Sequence, residues 1–199
     1  MINNLEYIKP FLVFESEDDF YLLQILRRKK ENPDVGNKPN VVKTYYIDSI
    51  EYLDKVMPEI IGLTNERKAR AYINLNRRSF KKIALKTLQE IANNIESGNF
   101  KSAKKSYDKI AGKYSNEKDK KWIVDIDWKD FPNKKTEFAY VMTLVNQLQE
   151  EAGKEPLSEP LMTKNGIHYV TRPFNLEKFH KQYPMVEVHK DRYTILYTN

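Results

Sequence analysis

Cysteine is absent from the 199 residues. A disulfide scaffold, a thiolate zinc site and a cysteine nucleophile are therefore excluded. Long apolar runs are missing as well. The first apolar stretch, Phe11-Leu12-Val13-Phe14, gives way at once to Glu15, Glu17, Asp18 and Asp19. A secretory leader needs an apolar region of roughly 7–15 residues behind a basic start, and a membrane-crossing helix needs about 20. The expectation is a soluble, cytoplasmic protein with no membrane contact. Internal repeats and low-complexity tracts are lacking. Acidic residues are in modest deficit: 34 Lys and Arg against 28 Asp and Glu leave 34 − 28 = +6. Such an excess permits a polyanionic partner without requiring one.

What is present is ordinary globular composition, 40% hydrophobic and 31% charged, which argues against disorder. A chain of this length can bury about 70% of its surface. One domain, or two tightly fused lobes, is expected.

The chain reads as mixed α and β. Glu17 to Glu31 reads as a helix, with Ser16 and Asp19 at capping-box spacing and Arg27-Arg28-Lys29-Lys30 in its last turn. Asn32 to Asn40, with Pro33, Gly36 and Pro39, reads as a loop. Val41–Ile47 reads as a strand. A helix from Ser49 to about Asn65 is expected to be kinked or divided at Pro58. Ala71–Asn76 alternates as a strand. Ser79 caps a helix in which Ala84, Leu88, Ile91 and Ile95 recur at helical spacing and which Gly98 ends. Lys101–Ile110 reads as a further basic helix. Lys121–Asp127 reads as a strand, and Lys134–Ala152 as a helix with Phe138, Val141, Val145 and Leu148 on one stripe. Pro160–Thr163 and Ile167–Thr171 flank Asn165-Gly166, a hairpin signal. Asn175 caps a helix to Gln182, and Met185–His189 and Thr194–Tyr197 read as strands. A division into lobes is expected near Gly112 to Lys118, where the sequence turns polar.

Three features carry chemistry. In Val124-Asp125-Ile126-Asp127, strand alternation points both aspartates to one face. Carboxylates about 7 Å apart along a strand repel each other. A hard cation, Mg²⁺ or Mn²⁺, relieves that repulsion; a solvated strand face is the plainer reading. In Thr163-Lys164-Asn165-Gly166-Ile167-His168, a tight turn can hold a phosphate through amides, the Lys164 ammonium and the His168 imidazole. An ordinary hairpin with a surface histidine is the plainer reading here. In Val186-Glu187-Val188-His189-Lys190-Asp191, alternation sets Glu187, His189 and Asp191 on one face, where a further acid could complete a site. An amphipathic edge strand is the alternative.

Taken in order, an Asp-x-Asp strand, a helix, a Gly-x-His turn, a helix and an acid-bearing strand resemble the archaeo-eukaryotic primase superfamily, the primase–polymerase fold, in its minimal phage and mobile-element form. Arg70-Ala71-Tyr72-Ile73-Asn74-Leu75-Asn76-Arg77-Arg78 also resembles an aromatic-rich strand ending in Asn-x-Arg found in such members. The resemblance spans about residues 40–199 and is carried by motif order. It implies an α+β fold of two fused lobes. An upstream α/β unit (about 1–115) would pack beside an RRM-like antiparallel sheet with helices (about 116–199), the active-site cleft between them. It implies Mg²⁺ or Mn²⁺ held by Asp125, Asp127 and Glu187, with Asp191 as the alternative third acid. His168 would contact the phosphates of an incoming nucleotide beside Lys164 and Gly166, while a 3′-hydroxyl attacks the α-phosphate. Nucleic acid, DNA above all, nucleoside triphosphates and replication proteins are the implied partners. Arg77, Arg78, Lys81 and Lys82, near Tyr72 and Phe80, suit backbone contact and base stacking. Arg27 to Lys30, and Lys101 with Lys104, Lys105 and Tyr107, are further basic candidates. The Thr-Lys-Asn turn departs from the small residues common in the family, and no zinc module is present. A metal-dependent nuclease or phosphoesterase using Asp125, Asp127 and His168, and a non-catalytic nucleic-acid-binding replication accessory protein, are the alternatives.

Overall fold

The computed structural model describes every residue except 30, 37–39, 116–117, 119, 132–133 and 158, and the side chains of 134–136. Along the chain run β1 (Ile2–Asn3), α1 (Leu5–Ile8), β2 (Asp19–Arg27), β3 (Asn40–Ile47), α2 (Ile50–Glu66), β4 (Arg70–Asn74), β5 (Arg78–Ser79), α3 (Phe80–Glu96), α4 (Phe100–Ala103) and α5 (Ser106–Lys113). There follow β6 (Trp122–Asp127), α6 (Lys134–Glu151), β7 (Glu159–Met162), β8 (Gly166–Thr171), α7 (Leu176–Gln182), β9 (Glu187–His189) and β10 (Tyr193–Thr198). The protein is a mixed α+β structure with two antiparallel sheets. The first has the order β1-β10-β4-β2-β3, with β5 also paired to β2; the second has the order β7-β8-β6-β9.

The first sheet overturns the expected helix at Glu17–Glu31. Asp19–Arg27 is a strand at the sheet's middle, between β3 and β4. Its odd residues Tyr21, Leu23 and Ile25 pack with Leu53, Val56, Met57 and Ile60 of α2. Its even residues Phe20 and Leu22 pack with Ile83 of α3 and Ile110 and Ala111 of α5. A strand covered on both faces is apolar throughout, and so mimics the wide apolar face of a helix. Each such fully buried side chain contributes about 1.5–3 kcal/mol. The Asp19 carboxylate accepts from the amides of Glu15 and Ser16 at 2.8 and 2.9 Å, closing the turn before the strand instead of starting a helix.

α2 runs undivided through Pro58, capped by the Ser49 hydroxyl at Tyr52 N. The expected Lys101–Ile110 helix is two short ones, α4 and α5, broken at Lys104 and Lys105. Lys30 and Pro39, and part of the proposed division at Gly112–Lys118, lie outside the described residues. β10 departs from the expected partition at residue 116. Although it follows the second sheet in sequence, it inserts between β1 and β4 of the first.

α3 starts on a double cap. The Ser79 hydroxyl accepts from Lys82 N at 3.0 Å. The Asp18 carboxylate receives the Ser79 hydroxyl and, at 2.7 Å, the Lys81 amide. The hydroxyl bond first, and the amide second, hold the Asp18 carboxyl below the ordinary carboxylate range. A carboxyl depressed by folding adds stability above its ordinary value and loses it as pH falls through the depressed one. Asp18→Asn is therefore expected to lower the melting temperature at pH 7. The gap to the parent should narrow as pH falls below the ordinary carboxylate range and through the depressed value. Paired melting curves at pH 7 and across the acid range check this.

In the second sheet, Val124 and Ile126 of β6 and Ile167 and Tyr169 of β8 face α6 and α7, burying Val141, Val145, Leu148 and Phe179. The anticipated α6 stripe thus packs as read, and Asn175 caps α7 at Lys178 N. The opposite face of this sheet carries the acids and turns toward the first sheet. There Val170 and Leu161 join the core of α2 and β10.

Candidate functional site

Register decides which side chains meet. Asp125 of β6 stands opposite His168 of β8 on one side and Glu187 of β9 on the other; Asp127 stands opposite Gly166. Cross-strand neighbours share a face. Asp125, Asp127 and His168 therefore project together, on the side away from α6 and α7. Gly166 is required by the closeness of this pairing. A Cβ there would lie 1.9 Å from the Ile126 carbonyl oxygen and 3.0 Å from the Asp127 Cα.

Asp125, Asp127 and His168 line one cavity of about 180 Å³ together with Thr163, Lys164 and Asn165 of the β7–β8 turn. Its other wall comes from the first sheet: Arg28, Arg70, Tyr72 and Ile195. The turn is closed by Thr163 N donating to Gly166 O at 3.0 Å and fastened to the end of β6 by Trp128 N donating to Asn165 O at 2.8 Å. On the far wall Arg28 Nη1 donates to the Tyr72 hydroxyl at 3.0 Å, and Arg70 pairs with Glu31. A β-bulge between Ile195 and Tyr197 lies beside the cavity. The preceding Thr194 hydroxyl is 2.9 Å from His168 Nδ1.

His168 Nε2 lies 3.6 Å from Asp125 Oδ1, and His189 Nε2 lies 3.8 Å from Asp125 Oδ2 and 3.5 Å from a Glu187 oxygen. Burial lowers the His168 imidazole below its ordinary value, outweighing the pull of Asp125. Burial alone would raise the Asp125 carboxyl. The polar contact of His189, and then the electrostatic influence of the neighbouring His168, His189 and Lys129, reverse this and leave it lowered. The two tendencies meet in one protonation state at neutral pH: an ionised Asp125 beside a neutral His168. With Nδ1 accepting from Thr194, the His168 proton sits on Nε2, aimed at the carboxylate side; this tautomer is assigned from the contacts. Asp127 is 40% exposed and pairs with Lys129 at 3.3 Å.

The sequence motifs thus bring Asp125, Asp127, His168 and Lys164 to one cavity, with Gly166 behind Asp127. Glu187 is in register with Asp125, but its side chain is 76% exposed and outside the cavity lining. Asp191 is engaged elsewhere. Asn76 Nδ2 donates to it at 3.1 Å, and Arg78 Nη2 is 3.8 Å away.

Arg77 and Arg78 need correction as nucleic-acid contacts, because both are interior. Arg78 is fully buried, its Nε donating to Ala111 O and its Nη1 to Asn76 O at 2.6 Å. Arg77 pairs with Asp19 at 3.2 Å and Glu15 at 3.0 Å. Asn76 completes a clasp: its amide joins Lys121 N and O, just before β6, at 2.7 and 3.0 Å. The Asn-x-Arg segment therefore ties the two sheets together. Lys81 and Lys82 are exposed on α3, away from the cavity lining. Sequence reasoning missed Arg70 and the Thr194 support of His168. Arg70 depends on the first sheet facing the second, and Thr194 on β10 lying against β8, which no local pattern reveals.

Comparison of the chain with protein-family models, with curated proteins and with solved structures finds no match. The site's chemistry rests on its own residues. Among the described residues no three His, Asp or Glu side chains stand ready to hold a metal ion. Two carboxylates on one face nevertheless fit a hard cation by donor type. Mg²⁺ is commonly held by one or two carboxylates with substrate phosphates completing its shell, not by an all-protein cage. No helix among the described residues is long and apolar enough to cross a membrane.

Proposed function

We propose that the cavity between β6–β8 and β2–β4 is the site of a primase–polymerase-type nucleotidyltransferase, which adds nucleotides to a nucleic-acid 3′-hydroxyl. The observation that carries this reading is that carboxylates and cationic side chains share one cavity. Asp125 and Asp127 line it together with Arg28, Arg70, Lys164 and the His168 imidazole. A ligand matching both kinds of group carries phosphate together with a divalent cation. A nucleoside triphosphate with Mg²⁺ or Mn²⁺ is such a ligand.

The second sheet supports the reading by its connectivity. β6-α6-β7-β8-α7-β9 is a βαββαβ chain with sheet order 7-8-6-9, the order of an RRM-like or ferredoxin-like unit. On this reading the first sheet, with α2, α3 and α5, would be the upstream unit, and the cavity between the sheets the cleft. Glu187 is the better third acid, because it stands in register with Asp125 while Asp191 is held in the clasp.

When bound, a divalent ion supplies positive charge at the transferring phosphate and lowers the cost of charge developing on the attacking and leaving oxygens. Asp125 and Asp127 would hold it. Neutral His168, braced by Thr194, presents an N–H donor to outer phosphate oxygens. Arg28, oriented by Tyr72, and Lys164 offset phosphate charge from the two sides of the cavity. The Gly166 backbone leaves room for β8 to lie close on β6, which sets the spacing of His168 from both acids.

Calorimetric titration with Mn²⁺ alone and with Mn²⁺ plus a nucleoside triphosphate tests this. His168→Ala is expected to weaken nucleotide affinity about tenfold, the worth of a charge-assisted hydrogen bond, while leaving Mn²⁺ affinity near that of the parent. Asp127→Ala is expected to lower both. Absence of Mn²⁺-dependent nucleotide binding in the parent would sink the proposal. Hydrolysis of nucleic acid without nucleotide incorporation would favour the phosphoesterase reading.

A further inference from the structure

Helix α3 is placed against the grain of its own sequence. Its inward face carries Ile83, Thr87 and Asn94. Two of these are polar, with Asn94 bonded to the Ser106 hydroxyl at 3.4 Å and the buried Thr87 hydroxyl without a hydrogen-bond partner among the described residues. Its outward face carries Leu85, Leu88 and Ile95, exposed by 55%, 64% and 53%. Ala84 and Ala92 are exposed beside them. At about 100° per residue these five fall within one stripe roughly 100° wide. Lys81 is the single charge inside it. Glu96, Gln89, Lys82, Asn93 and Lys86 follow on the arc beyond Leu85. Large apolar side chains contiguous on a surface, with polar ones inside, mark a face meant to be covered.

The stripe is centred on Leu88. Ala84 and Ala92 lie four residues to either side, Lys81 and Ile95 seven, and Glu96 eight. We infer that this face of α3 pairs with α3 of a second copy of the chain, antiparallel, with Leu88 on the two-fold axis. In that pairing Ala84 faces Ala92 of the second copy, and these small residues let the helices approach closely around the two leucines. Lys81 stands opposite Ile95 of the second copy, with Glu96 one residue further on within reach of its ammonium, and the same contact repeats across the axis. Antiparallel packing also sets each helix N-terminus beside the opposite C-terminus, the favourable arrangement of dipoles. Self-complementarity of this kind is what a two-fold interface requires. A helix of 17 residues is about 25 Å long and offers less than the ~800 Å² per partner of a standard stable interface. The association is therefore concentration-dependent, not obligate. The inference is independent of the nucleotidyltransferase reading.

Sedimentation equilibrium on the full chain, over a concentration series, tests it. The parent should move from 23.6 kDa toward twice that mass as concentration rises. Leu88→Glu should stay monomeric with an unchanged circular-dichroism spectrum, since the side chain it replaces faces solvent. K81E should weaken dimerisation about three- to tenfold at low salt, and the K81E/E96K double variant should regain it. That rescue separates the pairing from any effect on folding. A parent that stays at 23.6 kDa through millimolar concentration overturns the inference. So does a dimer that Leu88→Glu leaves intact, or a double variant no better than K81E. A monomer whose stripe is covered only on adding a foreign acidic helix also overturns it, in favour of a different partner.

Discussion

On the nucleotidyltransferase proposal, Asp125→Asn is expected to cut nucleotide incorporation by about 10³-fold or more. Asparagine keeps the shape of the side chain and a polar group toward His189, so the sheet is left intact. What is lost is the negative charge that burial opposes and the surrounding imidazoles and Lys129 sustain. If that charge anchors the cation, several kcal/mol of stabilisation at the transferring phosphate go with it, and each 1.36 kcal/mol is tenfold in rate. A primer-extension time course with Mn²⁺, run beside a melting curve, measures both consequences. A folded variant extending primers within tenfold of the parent rate would remove Asp125 from the proposed chemistry.

Gly166→Ala is expected to destabilise the protein by about 3 kcal/mol or more, the range of severe overpacking. The added methyl has nowhere to go, because the atoms it meets at 1.9 and 3.0 Å are backbone of β6, not the movable end of a side chain. Either β6 and β8 separate at this pair or the whole sheet shifts. Both move Asp127, the register partner of Gly166, away from His168. Denaturant titration gives the stability change, and Mn²⁺ titration of the folded fraction should show weakened binding. A variant as stable as the parent would mean the β6–β8 pairing is looser than described.

Much of the second sheet was legible in the sequence because its strands keep one face for the core and one for the site. Val124 and Ile126 alternate with Asp125 and Asp127, so periodicity alone separates α6 and α7 from the cavity. The Asn165-Gly166 signal located the hairpin, and Ser79 and Asn175 located helix starts through cap chemistry that is local. Asp19–Arg27 failed for the converse reason: with helices on both sides, the strand has no polar face to betray its period. Arg77 and Arg78 failed because charge in a sequence says nothing about burial. Their acceptors are Asp19, Ala111 O and Asn76 O, and burial among these makes them fasteners instead of surface cations. The far wall of the cavity was legible only as scattered candidates, Arg28 in one basic run and Tyr72 beside another, with nothing to set them together. Arg28, Arg70 and Ile195 converge through pairings among β2, β4 and β10, whose separations in sequence leave no local trace.

The place of β10 bears on how this chain reaches its native state. Thr194 and Ile195 belong to a strand that completes the first sheet only after all of the second sheet has been traversed in sequence. Closing so long a loop is an entropic cost met before its contacts give any return, and topologies rich in such distant pairings fold slowly. Until β10 docks, β1 and β4 lack their common neighbour, His168 lacks its Thr194 brace and the cavity lacks Ile195. The two sheets are therefore not separable foldons. Cutting the chain between α5 and β6 leaves the upstream piece without the strand that joins β1 to β4, and neither piece alone holds all the residues of the candidate site.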